Sequence, residues 1–266
     1  MPIVRVNGID LFYQQDDFCD PWAAHDTVFI QHGFCRNSNF WYAWVPWLAR
    51  HFRVIRMDLR GCGRSGDPGP DYKFTGPGFI SDFTGFLDAV KVDRVHYIGE
   101  ALGGIIGVAS AVAHPERFKS LTIVGGAIQK VTGNPLMGRA GYSSWEETVQ
   151  DVKANGMKHW WMKSRGRAGE LTGNAAMDDY FASEFARTPV HVALALSQAA
   201  PTIDNTKALT QLSVPTLILS RTQQGLIPGA REMVYPEASS VGAAAFYLMA
   251  DRLAQDTAAF LQEISR

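Results

Sequence analysis

The stretch Val95-His96-Tyr97-Ile98-Gly99-Glu100-Ala101-Leu102-Gly103-Gly104-Ile105-Ile106-Gly107 passes from a β-branched and aromatic run, through small residues, into an apolar segment. It reads as a strand, a tight turn and a helix. A turn this sharp needs small neighbours, and its central residue takes a strained backbone that presents its side chain above the helix N-terminus, at the carboxyl end of the strand. Ala101 occupies that centre. Its methyl group offers neither nucleophile nor proton carrier.

Outward from this turn, short apolar runs alternate with helical patterns, as in a parallel sheet flanked by helices. Thr27 to Gln31, Phe52 to Met57, Val95 to Ile98 and Leu121 to Val124 read as buried parallel strands. Ile3 to Val6 and Leu11 to Tyr13 flank Asn7-Gly8 and read as an antiparallel hairpin, because Asn-Gly supplies the positive φ of a tight turn. Helical spacing runs through Phe40 to Arg50, Pro77 to Val90 and Gly103 to Ala113. Between Gln129 and Thr210 the strand signal vanishes, and Trp-, Met- and Ala-rich helical patterns replace it, including Trp145 to Asn155 and Met177 to Ala186. Strands resume at Pro215 to Ser220 and Arg231 to Tyr235, and Met249 to Ile264 closes the chain as an amphipathic helix. The fold class is α/β: a mostly parallel, eight-stranded twisted sheet. Its core is built from 1–128 and 211–266, with 129–210 inserted as a helical cap.

The 266-residue chain is 46% hydrophobic, enough for a large core, and its 25 basic and 26 acidic residues create no global field. Nucleic-acid and anionic-membrane partners are therefore not expected. The opening Met-Pro-Ile-Val-Arg-Val lacks a signal-peptide pattern, so a cytoplasmic location is expected. Cys19, Cys35 and Cys62 are odd in number and lack metal-ligand spacing, so neither disulfides nor a metal site are expected.

Three further fragments join the turn in a definite order: Gln31-His32-Gly33-Phe34, Asp58-Leu59-Arg60-Gly61-Cys62-Gly63-Arg64-Ser65, and Pro215-Thr216-Leu217-Ile218-Leu219. Together they resemble the α/β-hydrolase superfamily, with the 99–103 turn matching its nucleophile elbow, G-x-S-x-G. The resemblance implies that Ala101 stands where the serine would. It also implies that the Phe34 and Leu102 N–H groups form an oxyanion hole, and that Gly33 belongs to the substrate-binding loop. The family's acid would follow Val124 or Ser220, where Gly125-Gly126-Ala127 and Arg221-Thr222-Gln223-Gln224 supply no carboxylate. Its histidine would lie within Glu237 to Phe246, near Ala243, yet no histidine occurs beyond His191. The Ser220 to Arg231 link is also too short for the family's usual connecting helix. Acyl-enzyme chemistry needs both an attacking oxygen and an imidazole base, so the chain reads as inert as a serine hydrolase, whether through divergence or inactivation.

The remaining polar residues leave alternatives open. Glu100 and His32 are candidate proton carriers, although each has a structural reading: Glu100 supporting its turn, and His32 bracing the oxyanion loop. Cys35 lacks a partner histidine and reads as inert. His159 and Trp160, in the cap, read as contacts to an apolar or aromatic ligand or as cap core. Trp44 and Trp47 read as core, and Asp58 and Arg60 as braces of their own turn. Three functions remain: an enzyme acting on a small apolar or aromatic ester, lactone or related carbonyl compound; a non-hydrolytic elimination or cyclisation enzyme, or a cofactor-free one, using the oxyanion hole with Glu100 or His32; and a ligand-binding protein without catalysis.

Overall fold

The computed structural model describes residues 2–126, 128–238, 245–246 and 248–266. Among them, eight strands form one sheet: β1 (Ile3–Val6), β2 (Ile9–Asp16), β3 (Thr27–Gln31), β4 (Arg53–Met57), β5 (Val95–Glu100), β6 (Phe118–Val124), β7 (Thr216–Ser220) and β8 (Arg231–Val234). Their order is β1-β2-β4-β3-β5-β6-β7-β8. β1, β2 and β4 pair antiparallel, and every pairing from β4 onward is parallel. β2 extends past the expected Tyr13, because Tyr13 to Asp16 pair with β4.

The helices are α1 (Val45–Leu48), α2 (Gly76–Ala89), α3 (Leu102–Ala113), α4 (Pro135–Ala140), α5 (Trp145–Ala168), α6 (Ala175–Phe185), α7 (Val190–Ala199) and α8 (Ala250–Ile264). The crossover from β3 leads back to β4, whereas those from β4 and β5 lead the other way along the sheet. Right-handed crossovers therefore put α1 on one face and α2 and α3 on the other. α8 packs against α1, β6 and β7 and covers the first face. The reversal falls between β3 and β5, and in open α/β sheets ligands gather beyond the strand ends at such a switch point. The His32 loop and Ala101 emerge there.

The expected helix from Phe40 to Arg50 is instead a 3₁₀ segment, Ser38–Trp44, followed by one α-turn. Pro46 lacks the N–H that a continuous helix would need at that position, which breaks the ladder. Trp44 is fully buried and donates Nε1–H to the Ala245 carbonyl, 2.7 Å away. Trp47, expected in the core, is partly exposed and donates to Asp251 on α8 at 3.1 Å.

Among the described residues, no strand of the main sheet lies between β6 and β7 in sequence, and α4 to α7 occupy that interval. Its neck is pinned where the Asn205 N–H donates to the Gln129 carbonyl at 2.8 Å and the Asn205 side chain donates to the Ile105 carbonyl at 2.8 Å. From β7 the chain reaches β8 without a helix, as the short link requires.

Beneath the turn, Phe29, Phe83, Tyr97 and Phe118 pack edge-on or tilted, with ring centroids 5.2–5.5 Å apart. The buried Tyr97 hydroxyl donates to the Gly103 carbonyl at 2.8 Å, tying that cluster to the start of α3. A Cβ on Gly103 would lie 2.4 Å from the Gln31 carbonyl oxygen, and one on Gly99 would lie 2.4 Å from that of Gly103. Both obstacles are backbone, so neither yields. Gly103→Ala should therefore cost upwards of ~3 kcal/mol or abolish soluble expression. Gly166→Ala, inside α5 with room for the methyl, should gain up to about 1 kcal/mol. Thermal unfolding of the two variants beside the parent checks this.

Candidate active site

Ala101 has φ 48° and ψ −111°, a backbone conformation that L-residues avoid and that costs of order 1–3 kcal/mol. The surroundings impose it. α3 begins at once with Leu102, the Ile105 N–H donates to the Ala101 carbonyl at 3.1 Å, and the glycines on either side permit the close approach of β3. Gly126, after β6, packs against the turn, where a Cβ would meet Ala101 Cα at 2.8 Å. The turn expected at 99–103 is thus present in its strained form.

Ala101 lies on the floor of a cavity of about 400 Å³, together with Phe34, Arg36, Glu100, Leu102 and Gly126. α4, α5 and α6 close over it with Arg139, Trp160, Trp161, Arg165 and Phe185. Trp160 is buried, stacks on Phe185 at 5.4 Å and 14°, and donates Nε1–H to the Leu136 carbonyl at 2.9 Å. Its ring is therefore both a packed member of the helical layer and a wall of the cavity. Leu102 is the first residue of α3, so its N–H has no acceptor within the helix. Among the described residues, no protein acceptor takes the N–H of Phe34 or Leu102.

His32 does not reach the cavity. It is fully buried, its Nδ1–H donates to the Gly33 carbonyl at 2.8 Å, and its Nε2 accepts the Leu59 N–H at 2.9 Å. Burial, aided by the nearby Arg36 charge, pushes its pKa down to about 4. With both nitrogens committed, His32 braces the loop after β3 against the turn after β4, and the proton-carrier expectation is corrected. Gly33 also lies behind the cavity wall, not in it. A Cβ there would fall 2.2 Å from Glu100 Oε2. Its bareness is what lets the Glu100 side chain fit.

Glu100 is 2% exposed and forms a buried ion pair with Arg36. The Arg36 guanidinium lies over the Phe246 ring at 4.7 Å, with Phe40 and Trp161 within 6 Å. This aromatic-lined pair lines the same cavity as Ala101. Sequence reading named Glu100 and overlooked Arg36; a lone arginine just after a His-Gly loop in an apolar context is the signal that could have found it.

His159 is exposed and sits 3.6 Å from Asp151, outside the cavity. Adjacent helical residues point ~100° apart, so Trp160 facing in turns His159 out. The expected ligand contact at His159 is corrected. Ala243, the approximate histidine position, lies outside the described residues. None of the seven histidines lines the cavity. Cys35 is buried with its thiol pKa raised well above the ordinary range by desolvation, which leaves it the unreactive thiol. Asp58 accepts the backbone N–H groups of Ser38 and Arg64 at 2.6 and 2.9 Å, and Arg60 forks onto Asp82 at 2.6 and 2.8 Å, both as braces.

The model of the alpha/beta hydrolase fold family matches residues 26–241. The chain belongs to the α/β-hydrolase fold family. Among curated relatives, a putative carbamate hydrolase RutD of Azorhizobium caulinodans is 35% identical over 130 residues, 47% of this chain and 44% of that protein. The chain therefore matches less than half the length of that relative. The Karrikin insensitive 2 receptor IA of Petunia hybrida is 25% identical over 217 residues, covering 78% of this chain and 76% of the receptor. The crystal structure of an enol-lactonase from Burkholderia xenovorans LB400 superposes with a TM-score of 0.80 at 22% identity, over 98% of this chain and 100% of that one.

Because His32 is held neutral, its depressed pKa links stability to pH. The unfolded chain binds a proton at this imidazole near pH 6.5 and the folded chain only near 4. The contribution is fully present above pH 6.5 and is lost as pH falls toward 4, amounting to roughly 3 kcal/mol. NMR should show the His32 ring untitrated between pH 5 and 8, and denaturant midpoints should fall across the window from 6.5 to 4.

Proposed function

We propose that this α/β-hydrolase-fold protein holds a small apolar or aromatic carbonyl compound, such as an ester or lactone, in the pose of a hydrolase substrate, without serine-hydrolase turnover. The carrying observation is the cavity floor: a strained turn in the nucleophile-elbow position bears only the Ala101 methyl, with no imidazole in reach. The Phe34 and Leu102 N–H groups would receive the carbonyl oxygen as an oxyanion-hole pair. Trp160, Trp161 and Phe185 would contact the apolar body, and the α4–α7 segment would act as the cap. No step calls for a cofactor or metal. The similarity to a protein named as a receptor, and to others named as hydrolases, is compatible with either retention or conversion of such a ligand.

A second reading is favoured by Glu100, a carboxylate on the cavity floor beside Ala101. It would take a proton from an enolisable carbonyl compound while the two N–H groups stabilise the developing oxyanion. Recovery of a bound carbonyl ligand chemically unchanged after prolonged incubation supports retention. Conversion that is lost in Glu100→Gln supports the second reading.

Ala101→Ser supplies the oxygen but no base. Its turnover of 4-nitrophenyl acetate should stay far below the ~1–1,000 s⁻¹ of working enzymes, within about tenfold of the parent chain. Burst kinetics or turnover in that working range would overturn the assignment.

A further inference from the structure

We propose that Asp17, Cys19 and His25, in the connection between β2 and β3, form a binding site for one zinc(II) ion, with water in the fourth place. The site is separate from the cavity. It lies at the amino end of β3, whereas Ala101 and the cavity lie beyond the carboxyl ends of the strands.

Among the described residues, these three each offer one ligand atom, and the three atoms lie within 4.8 Å of one another. Residues 17–26 join β2 to β3, and the connection turns where the Ala23 N–H donates to the Asp20 carbonyl at 3.0 Å, bringing His25 back onto Asp17. Asp17 is oriented by its own loop: Oδ1 accepts the Cys19 N–H at 3.2 Å, and Oδ2 lies 3.1 Å from His25 Nε2. His25 Nδ1 lies 3.0 Å from the Ala23 carbonyl, which can only accept, so Nδ1 carries a proton and Nε2 is the nitrogen that a metal would take. Metal-bound imidazoles are commonly held in this way, with a carbonyl on the other nitrogen. Oxygen and nitrogen ligands at ~2.0–2.1 Å from one tetrahedral zinc stand ~3.3 Å apart, close to the 3.1 Å between Asp17 and His25. The ion would replace the proton that these two side chains otherwise share.

The sulfur completes the set. Cys19 Sγ lies 3.8 Å from the Ala49 carbonyl, and that oxygen keeps the Phe18 N–H at 2.9 Å when the sulfur turns away. A thiolate and an imidazole on one zinc stand ~3.6 Å apart, so side-chain rotation is enough to close the set. Thiolate, carboxylate and neutral imidazole cancel both charges of the ion, which matters because Arg50, Lys119 and Arg266 line the adjoining hollow. Lys119 is itself paired with Asp26. Mixed sulfur, nitrogen and oxygen donors select zinc over magnesium and calcium, which take oxygen. The spacing Asp17-x-Cys19-x5-His25 contains no paired cysteines, so the sequence does not announce the site.

The test uses the full chain, freed of metal with a chelator, and titrates zinc by calorimetry and cobalt(II) by absorption. One equivalent of zinc should bind with a Kd of ~10 µM or tighter. Cobalt should show the near-ultraviolet thiolate-to-metal charge-transfer band, which Cys19→Ser should abolish; Cys35 and Cys62 are buried and cannot supply it. His25→Gln should weaken zinc binding ~tenfold or more. Both changes lie outside the hydrophobic core, so in chelator the variants should unfold at the parent's temperature, and zinc should raise that temperature in the parent alone. The proposal fails if no zinc binds at ~0.1 mM. It fails equally if the cobalt band is missing or persists in Cys19→Ser, or if His25→Gln leaves zinc affinity unchanged.

Discussion

The strained backbone at Ala101 is the constraint around which the rest is arranged. Holding an L-residue at φ 48° and ψ −111° is unfavourable by itself, so something around it must make every alternative worse. That surrounding is the sheet: β3 and β5 are adjacent and parallel, and α3 must leave β5 at once to pack back on the β5–β6 face. Gly99 and Gly103 bring α3 so close to the ends of both strands that a single Cβ would collide with backbone oxygen. Tyr97 then fastens Gly103 to the aromatic core. The strain is thus maintained by packing that extends through the domain, and no chemistry at position 101 is needed to maintain it. A chain can lose its nucleophile and keep the turn.

The same geometry explains why a buried ion pair sits at the floor. Glu100 ends β5 in a crowded crevice; the bareness of Gly33 leaves room for its side chain, and Arg36 lies within reach of it. Burying either charge alone would cost several kcal/mol, and removing one partner from such a pair typically costs ~3–5 kcal/mol. The aromatic rings around Arg36 favour its cation electrostatically while keeping water away. Pocket polarity and fold stability are therefore coupled through two residues.

Much of this was legible in the sequence because it depends on backbone punctuation. Eight strands, the hairpin at Asn7-Gly8 and the strained turn all follow from glycine placement and apolar runs, which act locally. Pro46 should have warned that the Phe40 to Arg50 pattern was not one helix. What stayed hidden depends on rotation and on long-range packing. His159 and Trp160 are neighbours in sequence, yet one faces solvent and the other the cavity, and a pattern rich in aromatics on several sides of a helix does not say which face turns inward. Arg139, Arg165 and Glu170 come together only when α4 packs on α5, so no spacing within either helix announces them. His32 looked like a candidate proton carrier because imidazole titrates near neutrality, but the two bonds that silence it come from its own loop and from Leu59 on another.

These pieces bear on how Glu100 could ever act as a base. To take a proton it must give up its charge, and with it the attraction that compensates burial of Arg36. Proton uptake at Glu100 would therefore leave a buried guanidinium unpaired unless an anion replaced the carboxylate. A neutral carbonyl ligand cannot do that, whereas a substrate developing negative charge on the floor could, since its oxyanion would face the Phe34 and Leu102 N–H groups near Arg36. In the reading that makes Glu100 a base, proton transfer would move negative charge from Glu100 to the ligand. Absent such a ligand, the Arg36–Glu100 pair stays intact.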